Sequence, residues 1–303
     1  MKHIILASVL YPTKNFDIFI NDLLTSIKQQ TYPHFSLLFF LDGVQNLKVE
    51  RKIKEAKIEQ KIYFQTCKKN TLTPSQIRHK VIQFAQILLC DLLIFCDFDE
   101  KISPARIEQT INYMHDDIDF SYCNAYITDK NFNLTGKTFF QDKNIPNTVE
   151  CINPILEKNF IGMGGLALKL HNIPYLSQLQ IPSNLLVFDW FLATYMLLKC
   201  CKGKKIDDCL VYYRQHEDNH IGTNKTLDKT KLTLGIKVKK NHYQYFSKYN
   251  QDFALLYDRV CGLEQYVKNN MDKYIRIINM NFNSDTLCWW ENIKTLEEVK
   301  QWI

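Results

Sequence analysis

Glycine is scarce in this sequence. Only 9 of the 303 residues are glycine, and none lies between Ser8 and Asn15, directly after the first apolar run. A loop that cradles a phosphate group with its backbone amides needs glycine at that place. The absence argues against nucleotide-binding proteins that use such a loop. The sequence also lacks internal repeats and low-complexity tracts, which excludes a repeat architecture.

Cysteine pairs with the spacing of a metal site are absent as well, and the neighbours Cys200 and Cys201 are the one close pair. The sequence has ten cysteines but no Cys-x-x-Cys, and residues such as Cys96 and Cys123 stand singly inside apolar segments. Structural zinc sites and disulfide frameworks depend on paired or regularly spaced cysteines. We therefore predict reduced, buried thiols that act as small hydrophobic side chains.

No apolar run is long enough to span a bilayer. The stretch that follows His3 is short and has no cleavage site, so we predict a first strand there. The 38 basic and 32 acidic residues leave a net charge of +6, which suits an anionic ligand or a membrane surface. The sequence has no Arg-rich tract of the kind that indicates nucleic-acid binding. We expect a cytoplasmic protein, with association at the inner face of the membrane left open.

Short apolar runs alternate with longer amphipathic segments from residue 3 to about residue 97. This pattern is typical of β-α-β units around a mostly parallel sheet, so the predicted fold class is α/β. The predicted early strands are His3–Val9, Phe35–Leu41, Lys61–Gln65 and Leu92–Cys96. Helices are predicted over Phe16–Gln30, from the capping box at Thr73-Pro74, and from Ser103-Pro104. Strands at 120–128, 132–139 and 209–213 and a helix at 185–200 follow.

The fourth predicted strand ends in the acidic sequence Asp97-Phe98-Asp99-Glu100. If the backbone stays extended there, Asp97 and Asp99 share one face and Phe98 points the other way. At about 5 Å and an effective dielectric of about 20, two carboxylates repel by about 3 kcal/mol. The pair therefore favours a bound hard cation or a raised pKa. The alternative is a solvated acidic turn without a function.

Three other segments carry polar groups next to apolar runs. Asp42-Gly43 ends the second strand and can accept hydrogen bonds from a base or a sugar hydroxyl, or form a common turn. Asp189 is a lone acid in an apolar helical run, where it serves either as a catalytic base or as a carboxylate at a helix N-terminus. Arg214-Gln215-His216 follows a strand and offers ligands for a phosphorylated substrate, or forms a polar surface loop.

Taken together, these segments resemble the family 2 glycosyltransferases, which have the GT-A fold. The stretch from Ser8 to Gly43 resembles the family's first strand, helix and second strand. Asp97-Phe98-Asp99 matches its metal-binding Asp-x-Asp, and Asp189-Trp190 matches its catalytic-base region. Tyr213-Arg214-Gln215-His216, with Asn219 and Gly222, matches its closing motif. All four occur in the family's order and spacing over residues 3–222, as in enzymes of bacterial polysaccharide and lipopolysaccharide synthesis.

The resemblance implies a reaction and a set of residue roles. A sugar would pass from a nucleotide-diphosphate sugar to a hydroxyl of a glycan or a lipid-linked glycan, with inversion and with Mn²⁺ or Mg²⁺ as cofactor. Asp189 would be the general base. The implied donor-binding residues are Asp42, Arg78, Asp97 and Arg214. The implied metal ligands are Asp97, Asp99 and His216.

Two alternatives stay open at this stage. A sugar nucleotidyltransferase also pairs carboxylates with Mg²⁺ on an α/β sheet, although Ser8–Asn15 lacks the glycine-rich loop that would support it. The second alternative is a non-catalytic protein that binds nucleotide sugars on the same scaffold. The acids at 97, 99 and 189 argue against it.

The resemblance divides the chain into a catalytic domain, 1–224, and a C-terminal helical region, 225–303. Between Lys225 and Lys248 there are seven lysines and a single acid, Asp228. A basic helix with tyrosines suits a membrane surface or a lipid-linked acceptor, and we predict peripheral membrane contact through 225–249. A solvated helix packed on the catalytic domain is the alternative.

Overall fold

The computed structural model describes residues 3–141, 143–215, 226–281 and 288–302. These residues form two compact units. The first unit comprises the described residues of Met1–Glu150, Ile161–Ser183 and Lys199–His216. The second comprises those of Cys151–Phe160, Asn184–Leu198 and Glu217–Ile303. The second unit thus includes residues 151–160 and 184–198 in addition to the C-terminal helices, and the domain boundary expected at residue 224 stays a prediction.

The first unit is built on one mixed sheet. Its strands in the described chain are β1 (Ile4–Leu10), β2 (Ser36–Asp42), β3 (Ile62–Cys67), β4 (Leu92–Phe95), β5 (Lys101–Ile102), β6 (Phe120–Thr128), β7 (Leu134–Thr138), β8 (Thr148–Val149), β9 (Leu166–Lys169) and β10 (Gly203–Arg214). The strand order is β3-β2-β1-β4-β9-β6-β10-β5, with β7 beside β6 and β8 beside β10.

Six of these strands run in the same direction. Parallel pairing joins β3, β2, β1 and β4, and also joins β6 to β10. Strand β9 is antiparallel to both β4 and β6, which makes those two strands parallel to each other. The α/β fold with a mostly parallel sheet is therefore confirmed. The carboxyl ends of the six strands meet at one edge, where ligands bind in open α/β sheets.

Four helices of the first unit cover the sheet: α1 (Phe16–Lys28), α2 (Asn46–Ala56), α3 (Pro74–Ile87) and α4 (Arg106–Tyr113). Helices α1, α2 and α4 share one apolar cluster with alternate side chains of β1, β2 and β4, among them Leu6, Phe39 and Ile94. Helix α3 packs on β1 and β2 outside this cluster, which places it on the opposite face.

The start of α3 follows the sequence signal, whereas the start of α4 does not. Thr73 Oγ1 accepts a hydrogen bond from the Gln76 amide at 3.2 Å, and Gln76 Oε1 accepts one from the Thr73 amide at 2.9 Å. The helix predicted at Ser103-Pro104 begins only at Arg106. The Ser103 amide donates to Leu210 O of β10 at 3.0 Å, so the chain is still tied to the sheet at Ser103 and turns into the helix later.

The second unit is helical. Its helices in the described chain are α5 (Phe188–Leu198), α6 (Lys229–Phe246), α7 (Gln251–Met280) and α8 (Leu296–Val299). Helix α7 has a non-helical backbone at Asn270, where it bends. Among the described residues, no helix combines the length and the apolar character needed to cross a membrane.

Much of the positive charge on α6 is neutralised within the second unit. Lys229 pairs with Asp272 at 2.9 Å, and Lys240 pairs with Glu264 at 2.6 Å. Lys239 is buried and donates from Nζ to Ile293 O at 2.8 Å, and burial lowers its pKa. These partners reduce the charge that α6 can offer to a membrane. Contact through 225–249 stays a prediction, and Lys225 lies outside the described residues.

A stacked Trp-His pair forms the centre of the second unit. The Trp190 and His242 rings lie 3.5 Å apart and 4° from parallel, and Trp290 lies 4.6 Å from Trp190. His242 Nε2 is 3.3 Å from Thr194 Oγ1, whereas its Nδ1 has no hydrogen-bond partner in the described chain. Complete burial holds the pKa of His242 well below its usual value. The imidazole is therefore neutral in the folded protein.

This burial predicts that acid destabilises the fold through His242. Below the ordinary pKa of 6.5, His242 binds a proton in the unfolded chain but not in the folded chain. The free energy of unfolding therefore falls as the pH falls. We expect the unfolding free energy of the parent chain to fall relative to that of His242→Phe by about 1.4 kcal/mol per pH unit below pH ~6. Urea unfolding from pH 7.5 to 5 measures the difference. The contribution of the carboxyl groups to the pH dependence cancels in this difference, because the parent and the variant contain the same carboxyl groups. Parallel pH profiles for the two proteins would contradict the prediction.

Candidate active site

The carboxyl ends of the parallel strands bring several of the predicted residues to one edge of the first unit. Asp42 is the last residue of β2, and Cys67 is the last residue of β3. Asp97 follows β4 by two residues, and Arg214 ends β10. These positions are far apart in sequence and are collected only because the strands are parallel.

The acidic segment after β4 forms a turn. The Glu100 amide donates to Asp97 O at 3.2 Å, so the extended backbone expected through Asp99 is wrong. Phe98 is buried, and its ring contacts Tyr11, Phe16 and Phe19 at centroid distances of 5.4, 5.1 and 5.8 Å. The chain can turn here because the Phe98 side chain is held in the core. Asp97 and Asp99 remain partly exposed.

Arg78 binds Asp97 directly. Its Nη2 donates to Asp97 Oδ1 at 3.3 Å, from the second turn of α3. Burial raises the pKa of Asp97, the Arg78 guanidinium opposes that rise, and the Asp99 charge adds to it. The structure thus joins two predicted donor-binding residues, and it places Asp99 close enough to Asp97 for the two carboxylates to repel.

Glu100 lies deeper than its two neighbours. It is 5 % exposed, and its Oε2 has no hydrogen-bond partner in the described chain. Burial, followed by the charges of Asp97 and Asp99, raises the pKa of Glu100 well above its usual value. A Cβ atom on Gly164 would lie 2.1 Å from Glu100 Oε2, so this carboxyl group needs glycine at position 164.

Arg106 is a buried cation that contacts the Gly164 backbone. Its guanidinium donates to Thr110 Oγ1 at 3.0 Å and to the Gly164 and Leu166 carbonyl oxygens at 3.4 Å. Its charge opposes the rise in the pKa of Glu100. The sequence analysis missed Arg106 because a single Arg in a short amphipathic helix carries no signal of burial.

Tyr11 is a second residue that the sequence analysis missed. Burial and then the negative charges of Asp99 and Asp97 raise its pKa far above the usual value for tyrosine. The hydroxyl therefore stays protonated and can donate a hydrogen bond beside the acidic turn. Its position directly after β1, at the same sheet edge as the other polar residues, is the signal that could have identified it.

Asp42 lies beside a thiol at the ends of β2 and β3. Cys67 Sγ donates to Asp42 Oδ1 at 3.5 Å, and burial together with Asp42 raises the pKa of Cys67. Gly43 has a φ of +67°, and a Cβ atom there would lie 2.5 Å from Lys69 Cβ. The Asp42-Gly43 pair is therefore a turn that requires glycine, and it holds the carboxylate at the strand end.

Arg214 and His216 were the residues predicted from the last strand. Arg214 is buried and pairs with Asp22 of α1, between the rings of Phe19 and Phe132. Its role in donor binding stays a prediction. His216 lies outside the described residues.

Asp189 belongs to the second unit. It is the second residue of α5, it is partly exposed, and its Oδ1 accepts a hydrogen bond from the Trp190 amide at 2.8 Å. The next residue is anchored, because Trp190 Nε1 donates to Ile155 O at 2.7 Å and its ring stacks on His242. Helix α5 thus presents a carboxylate from a rigid first turn.

The acidic turn suits a hard cation that is shared with a phosphate group. Within the described ranges, no set of three or more His, Cys, Asp or Glu residues could hold a metal ion by itself. The available donors are carboxylate oxygens, and Mg²⁺ in particular takes one or two protein carboxylates plus oxygens from a substrate phosphate. Asp97 and Asp99 fit that arrangement.

Comparison with solved structures identifies the fold. The P. calidifontis mannosyltransferase PcManGT, solved with GDP-Man and Mn²⁺, has a TM-score of 0.52 and 10 % identity, over 84 % of this chain and 68 % of its own. S. aureus TarS 1-349, solved with UDP, has a TM-score of 0.53 and 15 % identity, over 100 % and 78 %. At these identities the likeness shows the fold alone.

Comparison by sequence identifies the family. The profile of Glycosyl transferase family 2 matches residues 8–172, more than half of the 303 residues. The search of curated proteins returned no match. The matched range contains Asp42, Arg78, Asp97 and Asp99 at the sheet edge described above. The chain therefore belongs to glycosyl transferase family 2 and is a glycosyltransferase with the GT-A fold.

Proposed function

We propose that this glycosyltransferase moves a sugar from a nucleotide-diphosphate donor to a hydroxyl group of a glycan or a lipid-linked glycan, with inversion. The observation that carries the proposal is the acidic turn at Asp97–Glu100 with Arg78 on Asp97. The turn offers carboxylate oxygens as ligands for a metal cation, and Arg78 offers a positive charge for a phosphate group. The GDP-Man and Mn²⁺ bound to PcManGT and the UDP bound to TarS support a donor of this kind.

The donor would bind along the carboxyl edge of the sheet. Asp42, oriented by the Cys67 thiol, would accept a hydrogen bond from the base or the ribose through its second oxygen. Arg78 and Arg214 would contribute positive charge toward the diphosphate. Asp97 and Asp99, with His216 as a further ligand, would hold Mn²⁺ or Mg²⁺, which when bound stabilises the charge on the departing diphosphate.

Asp189 would act as the general base. Its carboxylate takes the proton from the acceptor hydroxyl while that oxygen forms a bond to the anomeric carbon. The bond between the anomeric carbon and the donor phosphate oxygen breaks, and the nucleoside diphosphate leaves with the electron pair. Attack from the face opposite the leaving group inverts the anomeric centre. The anchored Trp190 keeps the base from shifting during the reaction.

A panel of donors tests the function. We expect one nucleotide class among UDP-, GDP- and dTDP-sugars, and not the monophosphate CMP-sugars, to raise the thermal midpoint in the presence of Mn²⁺, because a ligand at 100 times its Kd stabilises by about 2.7 kcal/mol. The same panel with EDTA is the control. A protein whose midpoint moves with none of these sugars, and which hydrolyses none of them, would contradict the proposal.

Asp99→Asn tests the cation site. Removing this carboxylate should weaken Mn²⁺-dependent binding of the selected nucleoside diphosphate by about 10-fold or more, since even indirect support of a metal contributes that much. Titration calorimetry measures the change. Asp117→Asn is the matched control, because Asp117 is exposed and pairs only at the surface with Lys202 at 2.9 Å. Equal affinities in the two variants would remove Asp99 from the site.

Asp189→Asn separates chemistry from binding. We expect turnover of the selected donor with its acceptor to fall by about 10²- to 10⁴-fold, the usual contribution of a general base, while nucleotide affinity stays unchanged. Asp272→Asn, which alters an exposed carboxylate of the same unit, should keep full turnover. If Asp189→Asn retains full turnover as well, another group removes the proton.

A further inference from the structure

One carboxylate on α1 joins two cations that lie on different strands of the first unit. Asp22 Oδ1 is 2.9 Å from Lys101 Nζ on β5, and Asp22 Oδ2 accepts from Arg214 Nη2 on β10. The Arg214 side chain is 2 % exposed, compared with 24 % for Asp22 and 29 % for Lys101. Burying a guanidinium without a charged partner costs folding free energy. The buried Arg214 therefore depends on the Asp22 carboxylate.

Aromatic rings complete this cluster, which we call the Asp22 clamp: Asp22, Lys101, Arg214, Phe19 and Phe132. The Phe132 centroid is 4.2 Å from Lys101 Nζ and 3.9 Å from Arg214 Cζ, and the Phe19 centroid is 4.6 Å from Arg214 Cζ. Phe132 has a φ of +64°, a conformation that a bulky side chain rarely adopts. The turn that holds this conformation is closed by the Phe132 amide, which donates to Asp129 O at 3.1 Å, and it places the Phe132 ring against both cations.

The clamp is attached to both polypeptide segments on which donor binding depends. Lys101 follows the acidic turn directly, two residues after Asp99, and Arg214 is the last residue of β10. Strands β5 and β10 pair antiparallel through Tyr212↔Lys101 and Val211↔Ile102. Strand β5 is only two residues long, so its few backbone hydrogen bonds hold the acidic turn weakly. Phe98 anchors the start of this segment in the core, and the Asp22 clamp is a second side-chain anchor at its end.

We propose that Asp22 is a positioning residue for the donor site. It holds Lys101 and Arg214 together and thereby fixes the acidic turn against the carboxyl end of β10. Without the carboxylate, the two neighbouring cations that share the Phe132 ring repel each other. The turn then moves, and the cation ligands Asp97 and Asp99 move with it. This role rests on the proposed function, because it concerns the binding of a nucleoside diphosphate.

Hydrogen exchange tests the positioning step without any ligand. In Asp22→Asn the amide of Glu100, which donates to Asp97 O, should exchange faster by about 10-fold or more, as expected when a buried charged pair is broken. Asp22→Glu should restore slow exchange. Asp17→Asn is the matched control, since Asp17 lies on the same helix and is 61 % exposed in its pairs with Lys48 and Lys52. Unchanged exchange at Glu100 in Asp22→Asn would overturn the proposal.

Nucleotide binding tests the functional step. Titration of UDP or GDP with Mn²⁺ should show an affinity about 10- to 100-fold lower for Asp22→Asn than for the parent, the range for residues that orient metal ligands. Lys101→Met, which leaves the pair between Asp22 and Arg214 intact, should show a smaller loss and gives a folded variant if Asp22→Asn does not fold. Parent-like affinity in these variants would overturn the role of Asp22. A parent chain that binds neither nucleotide would contradict the proposed function itself.

Discussion

Electrostatic repulsion in the turn after β4 is the constraint on which the rest of the first unit depends. Asp97, Asp99 and Glu100 occupy three of four consecutive positions, with Phe98 as the fourth, and burial raises the pKa of Asp97 and of Glu100. Carboxylates this close together remain charged only if cations lie nearby. Arg78 and Arg106 provide two, and a divalent cation with a diphosphate would complete the balance.

The position of this turn is fixed mostly by apolar packing and by the backbone. Phe98 anchors the turn in the core beneath α1, and Gly164 leaves room for the Glu100 carboxyl group. The turn continues into Lys101, which the Asp22 clamp ties to β10. A negatively charged segment is thus placed accurately although few of its own hydrogen bonds hold it. In the second unit, the stacked Trp190 and His242 do the same for α5, with a neutral imidazole in place of a charged group.

Much of the fold could be read from the sequence, for reasons that the structure makes clear. Strand β6 spans Phe120–Thr128 as predicted, and β1, β2 and β4 end within one residue of their predicted ends, because apolar runs in a buried parallel sheet are nearly continuous. Helix α3 begins where its capping box predicts, since that signal is local. Helix α4 and the backbone after Asp97 differ from prediction because contacts distant in sequence, from Leu210 and from the core around Phe98, act on them.

The sequence alone determined the family, the α/β class and the identity of the acidic turn, because apolar periodicity and short motifs are properties of neighbouring residues. Tertiary structure decided which distant residues surround that turn. Arg106 and Asp22 stand near it, yet neither carries a local pattern that separates it from a surface charge. Burial and pairing across the sheet give these residues their roles. Both depend on strand order, which no stretch of sequence encodes by itself.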